Sequence, residues 1–186
     1  PGGSTIYSVI DGQQRLTTLG LCLAILRDEC TDCGSDADFI LDIHHLLVRL
    51  VLGEYQGTVL TPQDPDATNY QKCVKEQGST SPLFQERLLP NGRIKYSLTA
   101  GSSENPDSDL VLPGLVILKQ LISDFLPQGL ERRSRLEEIV RFIFMKVTLL
   151  AIDVLSEDDG YLIFDTANTR GKKLSQSERI RAGLAL

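Results

Sequence analysis

Apolar positions along the chain follow two periods, and these divide it into predicted helices and strands. Ile6-Tyr7-Ser8-Val9-Ile10 is a β-branched and aromatic run that predicts a short strand arriving at Asp11-Gly12. Beyond that turn Leu16, Leu19, Cys22, Leu23, Leu26 and Cys30 recur at spacings of three and four. Leu21 and Ile25 add apolar character to another face, so the segment predicts a largely buried helix. Ile40, Ile43, Leu47, Leu50 and Val51 predict a second helix over Phe39–Tyr55, brought to an end by Gly53 and Gly57. Thr, Pro, Asp and Asn dominate residues 58–70, which read as a loop leading to a short polar helix around Tyr70–Glu76.

Breakers crowd the stretch from Pro82 to Pro106, within which Ile94, Tyr96 and Leu98 alternate with Arg93, Lys95 and Ser97 as a strand over Arg93–Thr99 would. Asp109–Leu126 and Leu130–Met145 both carry helical apolar spacing and are separated by Pro127-Gln128-Gly129, the arrangement of an antiparallel helix pair. Pro113-Gly114 argues against an unbroken first member of that pair. Val147–Val154 is mostly apolar and predicts a buried strand, with Ile6–Ile10 as its nearest pairing partner. Ser156 with Asp159 three residues on resembles a capping box, and so does Ser175 with Glu178; Asn168-Thr169-Arg170-Gly171 reads as the loop between the two helices they begin. The expected fold class is therefore α+β, a small sheet with a mainly helical remainder, in one domain over 1–186. A strand at the very start and a helix with no stop signal at the end read as a chain cut at both ends.

Composition narrows the classes of function. With 41% hydrophobic and 24% charged residues the chain has globular and not disordered composition. No stretch matches a membrane span, and Pro1-Gly2-Gly3-Ser4 lacks the blocks of a signal peptide, so a soluble cytoplasmic protein is expected. The net charge of −6 excludes a basic field over the whole molecule. DNA contact would have to be local, for which Arg170, Lys172, Lys173, Arg179 and Arg181 against the single acid Glu178 offer a patch; a solvated helix end explains the same residues. Cys22, Cys30, Cys33 and Cys73 lack the regular framework of a secreted domain, so reduced thiols are expected. The lone Cys30-x-x-Cys33 has no second pair, and no metal site is expected there. Adjacent residues on a helix point about a hundred degrees apart, so of His44 and His45 one is expected to be packed and the other solvated.

Asp11-Gly12-Gln13-Gln14-Arg15 is the segment with chemistry to offer. A strand, this turn and then a helix bring backbone N–H groups and the positive end of a helix dipole to one place. Gly12 permits a close approach of backbone or a positive φ. Asp11 can cap the helix with Gln14 bonding back to it, which leaves Gln13 and Arg15 unexplained; planar donors of this kind suit phosphate oxygens or a base edge. Capping and phosphate binding both remain open on these residues. The glycines and Lys-Ser/Thr of a P-loop are absent, which excludes a Walker-type NTPase.

Residues 7–19, Tyr-Ser-Val-Ile-Asp-Gly-Gln-Gln-Arg-Leu-Thr-Thr-Leu, resemble the signature of the GmrSD-type restriction endonuclease N-terminal domain, a ParB/sulfiredoxin-like fold. A second block, Ile163 to Ser175, is similar to that family's Phe-Glu-x-x-Asn-x-Arg-Gly-x-x-Leu segment, with Asp165 in place of Glu and Ala167 in place of a larger apolar residue. The resemblance implies binding and hydrolysis of a nucleoside triphosphate with Mg²⁺, coupled to recognition of modified DNA and its cleavage in phage defence. Catalytic roles would fall to Asp11, Gln14 and Arg15, and nucleotide binding to Gly12, Gln13, Gln14, Arg15, Asn168, Arg170 and Gly171. Asp11 would orient water or metal, or simply cap. The family's upstream Pro-x-x-Gln-Arg-like stretch does not precede Ile6, and His44-His45 lacks the accompanying residues of an HNH centre, so cleavage would need an HNH nuclease domain or subunit as partner. A non-catalytic DNA-sensing or regulatory ParB-like module, or an inactive fragment, is the alternative. If the two blocks form one site, Arg15 and Arg170 lie on the same side of the molecule.

Overall fold

The computed structural model describes residues 7–9, 11–51, 54–63, 65–100, 110–127, 129–154, 156, 158–160 and 162–163. The chain divides into two compact units, one of Gln14–Val147 and one of Pro1–Gln13 with Thr148–Leu186.

The larger unit is organised around α1 (Gln13–Asp32), whose apolar residues encircle the helix in its C-terminal half. A helix apolar on every side has to be buried on every side, and Leu21, Leu23, Ala24, Ile25, Leu26 and Cys30 are all buried. Against them pack Ile40 and Ile43 of α2 (Ala37–His45), Tyr70, Cys73 and Val74 of α3 (Asp66–Val74), Val111, Leu112 and Leu115 of α4 (Val111–Phe125), and Leu136 and Val140 of α5 (Glu131–Lys146). Gly20 belongs to this packing, because a Cβ there would overlap the buried Tyr70 hydroxyl. Pro113 is tolerated in α4 because it stands in the first turn, where its missing N–H leaves no helical bond unmade. In the connection from α4 to α5 Gly129 turns the backbone at φ +81°, and its carbonyl accepts from Arg132 N–H.

The helix expected over Phe39–Tyr55 is corrected by a shorter helix and a hairpin. Asp36 caps α2 by accepting from Asp38 N–H, and the helix ends at His45. The next residues form β1 (Val48–Val51) and β2 (Glu54–Thr58), paired antiparallel. Leu47, Leu50 and Val51 satisfy helical spacing, but Val48 is buried beside exposed Arg49, the alternation of a strand. Gly57 does not end a helix; at φ +138° it sits in the bulge opposite Arg49. The strand expected over Arg93–Thr99 is β4 (Ile94–Leu98), with Tyr96 buried between exposed Lys95 and Ser97. Its antiparallel partner is β3 (Phe84–Leu88), in the stretch where breakers obscure the pattern. Two two-stranded sheets among helices make the fold α+β.

In the smaller unit the strands expected to form a sheet are absent among the described residues. Tyr7–Val9 is not strand, and neither is Val147–Val154, where Leu149, Leu150 and Ile152 are exposed. A strand exists only through a ladder partner. Apolar composition, which makes Val147–Val154 resemble a buried strand, does not provide one. The cap at Ser156 is present as expected, since its Oγ accepts from Asp159 N–H at 3.2 Å and donates to Asp159 Oδ2 at 2.8 Å. The loop 168–171, the Ser175–Glu178 cap and the basic group 170–181 lie outside the described residues. No described helix is long and apolar enough to cross a membrane.

Candidate functional site

Gly12 carries the turn before α1 at φ +90°, a conformation few other residues adopt. Asp11 Oδ1 accepts from Gly12 N–H at 2.7 Å. The helix begins at Gln13, one residue later than an Asp11 cap with Gln14 at its third position requires, so Gly12 occupies the capping position and Asp11 lies just outside it. Gln13 Nε2 donates to the Val9 carbonyl at 2.9 Å, which gives this side chain a structural task that its type alone does not suggest. Gln14 and Arg15 follow with exposed side chains, and α1 has no acidic residue in its first turn. Helix-end N–H groups, an amide and a guanidinium are all donors, so this end of α1 has the chemistry of an anion site. Asn168, Arg170 and Gly171 lie outside the described residues.

Further along α1 stand Arg27-Asp28-Glu29, three consecutive charged side chains that sequence reasoning does not single out and that are buried in the core. Arg27 is fully buried and pairs with Asp28 at 2.8 Å. Its Nη1 donates to the Val74 carbonyl at 2.8 Å and meets His44 Nδ1 at 3.1 Å, while its Nη2 donates to the Glu76 carbonyl at 2.5 Å and Ser79 Oγ at 3.1 Å. Asp28 accepts from Gly78 N–H through Oδ1, and from both Thr80 N–H and the Thr80 hydroxyl through Oδ2. These two side chains thus satisfy the backbone that leaves α3 and leads to β3. Burial, and then the charge of Arg27, push the His44 imidazole below its ordinary value, so the neutral ring accepts from the guanidinium. His45 is exposed, the expected split between the two histidines.

Glu29 faces another way, where Lys119 Nζ reaches its Oε1 and Arg132 Nη2 its Oε2, the latter at 2.5 Å. Burial alone would raise the Glu29 carboxyl, but the two cations outweigh it and hold the carboxyl below its ordinary value. This triad forms one wall of a cavity of about 300 Å³, whose other wall includes Phe84 of β3 and Tyr96 of β4. Cys33 lines the cavity half-buried, and burial pushes the Cys30 thiol up to about 11; all four cysteines are free.

Over residues 1–185 the sequence matches the family described as the GmrSD restriction endonuclease, N-terminal domain. The chain belongs to this family. No curated protein and no solved structure matches it significantly. Membership makes the chain a domain of a restriction protein, in a family concerned with phage defence. The Asp11–Arg15 residues of the GmrSD domain stand together by their adjacency in the chain. The buried charges of α1 escape notice in the sequence because they interrupt an apolar run, although that interruption is itself the available signal.

Proposed function

We propose that this GmrSD N-terminal domain binds a nucleoside triphosphate at the Asp11–Arg15 turn and hydrolyses it, within a restriction protein that senses modified DNA and acts with an HNH nuclease domain or subunit. The observation that supports the reading is the start of α1: Gly12 turns the backbone at φ +90°, Gln13 is tied back to Val9, and Gln14 and Arg15 are solvent-exposed in a first turn without acids. Arg15 and the helix-end N–H groups hold phosphate oxygens and stabilise charge as it develops on them. Gln14 orients the attacking water, and Asn168, Arg170 and Gly171 contribute further contacts to the nucleotide. Mg²⁺ bound through phosphates needs only one or two protein carboxylates, and exposed Asp11 is suited to that role; the ion would neutralise phosphate charge.

Phosphate release from each of the four ribonucleoside triphosphates, with Mg²⁺, tests the proposal directly. Arg15→Ala is expected to reduce turnover to background while changing stability by no more than about 1 kcal/mol, as for an exposed side chain with a surface partner. Turnover equal in variant and parent would refute the assignment of Arg15. Failure of the parent to bind any of the triphosphates in an equilibrium titration would overturn the nucleotide site itself.

A further inference from the structure

The cavity beside Glu29 has features that packing does not require. Lys119 has only 8% of its side chain exposed, yet among the described residues its ammonium meets one hydrogen-bond acceptor, Glu29. An ammonium has three N–H donors. The ring centroids of Phe84 and Tyr96 each lie 5.2 Å from Lys119 Nζ, and the rings meet edge to face at 77°. Arg132 has five N–H donors, of which Glu29 takes one among the described residues. Within the group Glu29, Lys119 and Arg132 two cations share one carboxylate, so their unused N–H donors face the cavity together. Asp32 and Glu86 also line the cavity, but both are exposed, where the high dielectric of water weakens their effect on a ligand without removing it.

We propose that this cavity is a binding site for a small monoanionic carboxylate with a flat apolar body. The carboxylate adds its oxygens to the unused donors of Lys119 and Arg132, and the flat body lies against half-buried Phe84. A guanidinium matches a planar carboxylate better than it matches a point charge. A cationic ligand is disfavoured, because it would meet the ammonium of Lys119 and the guanidinium of Arg132. A volume of about 300 Å³ lies at the lower limit of small-molecule pockets and suits a single-ring compound. The cavity lies within the larger unit and uses none of the Asp11–Arg15 residues, so it stands apart from the nucleotide proposal.

Benzoate, its neutral counterpart benzamide and inorganic phosphate are the probes, titrated onto the isotope-labelled chain and followed by backbone and arginine side-chain resonances. Benzoate is expected to shift the resonances of Arg132, Tyr96 and Cys33 and to bind at least tenfold more tightly than benzamide or phosphate. It should slow alkylation of Cys33, read by mass spectrometry, without slowing that of Cys22. Arg132→Gln should weaken benzoate at least tenfold, Glu86→Gln should leave it unchanged or tighter, and Arg15→Ala should have no effect on it. Should Arg132→Gln fail to fold, the contrast among the three probes and the protection of Cys33 in the parent chain decide. Equal binding of benzoate and benzamide, tighter binding of phosphate, or no binding of benzoate would overturn the proposal.

Discussion

Replacing Arg27 by Met removes a guanidinium but keeps much of its apolar stem, so the loss it causes belongs mainly to polar contacts. In the parent Arg27 bonds the carbonyls of Val74 and Glu76 and the Ser79 hydroxyl, and it neutralises buried Asp28. Removing one partner of a buried pair costs about 3–5 kcal/mol, and each orphaned carbonyl about 1–3 kcal/mol, although contributions within one network do not add. Asp28 keeps its bonds from Gly78 and Thr80, which softens the loss. We therefore expect Arg27→Met to destabilise the larger unit by about 4 kcal/mol, roughly three powers of ten in its folded-to-unfolded ratio. Urea unfolding followed by circular dichroism gives the total, and amide exchange at Gly78 and Thr80 gives the local part, since those amides donate to Asp28. The double variant Arg27→Met/Asp28→Asn should be less destabilised than the sum of the single variants, because it removes the unpaired charge. A loss below about 1 kcal/mol for Arg27→Met, with unchanged exchange at Gly78 and Thr80, would refute the reasoning.

His44 should make stability depend on pH in the mildly acidic range. Its folded value lies below the ordinary 6.5, so the unfolded chain takes up the proton first, and the stability it contributes is present above 6.5 and is lost as pH falls through the folded value. Asp28 opposes this shift and His45 adds to it. The urea midpoint is expected to fall between about pH 7.5 and about pH 5.5, and His44→Gln, which can still accept from Arg27, should flatten the dependence; an equally steep profile in the variant would exclude His44 as its source. Gly20→Ala should destabilise by about 1–3 kcal/mol through overlap with Tyr70, and Tyr70→Phe on that background should recover part of the loss. Absence of any recovery would place the strain elsewhere.

The sequence is most legible where one requirement dominates. In α1, α4 and α5 apolar spacing over four or more turns leaves no competing reading, and in β4 the alternation about Tyr96 does the same over five residues. Residues 46–58 are ambiguous because Leu47, Leu50 and Val51 fit both periods, and only the partner strand decides between them. Val147–Val154 misleads for a related reason: apolar composition reports a tendency to be covered and not the presence of a ladder. At the candidate site, the freedom of Gly12 is evident from its type, whereas the tie from Gln13 to Val9 depends on local geometry that no residue type specifies. Arg27, Asp28 and Glu29 are legible in principle. A helix apolar on every side has no solvent face to offer three charges, so each has to find a partner inside.

Those partners are far along the chain, which has a consequence for synthesis. Asp28 waits for Thr80, 52 residues later, and Glu29 waits for Arg132, 103 residues later. A ribosome adding about 5–20 residues per second leaves Glu29 without its second cation for about 5–20 s after it is made. During that interval α1 lacks the cover that Leu136 and Val140 of α5 give it, and Glu29 has one cation where the folded chain gives it two. The order of synthesis thus leaves α5 to close the core over α1 last, and slower translation of the stretch before it would lengthen the time for which that face stays open.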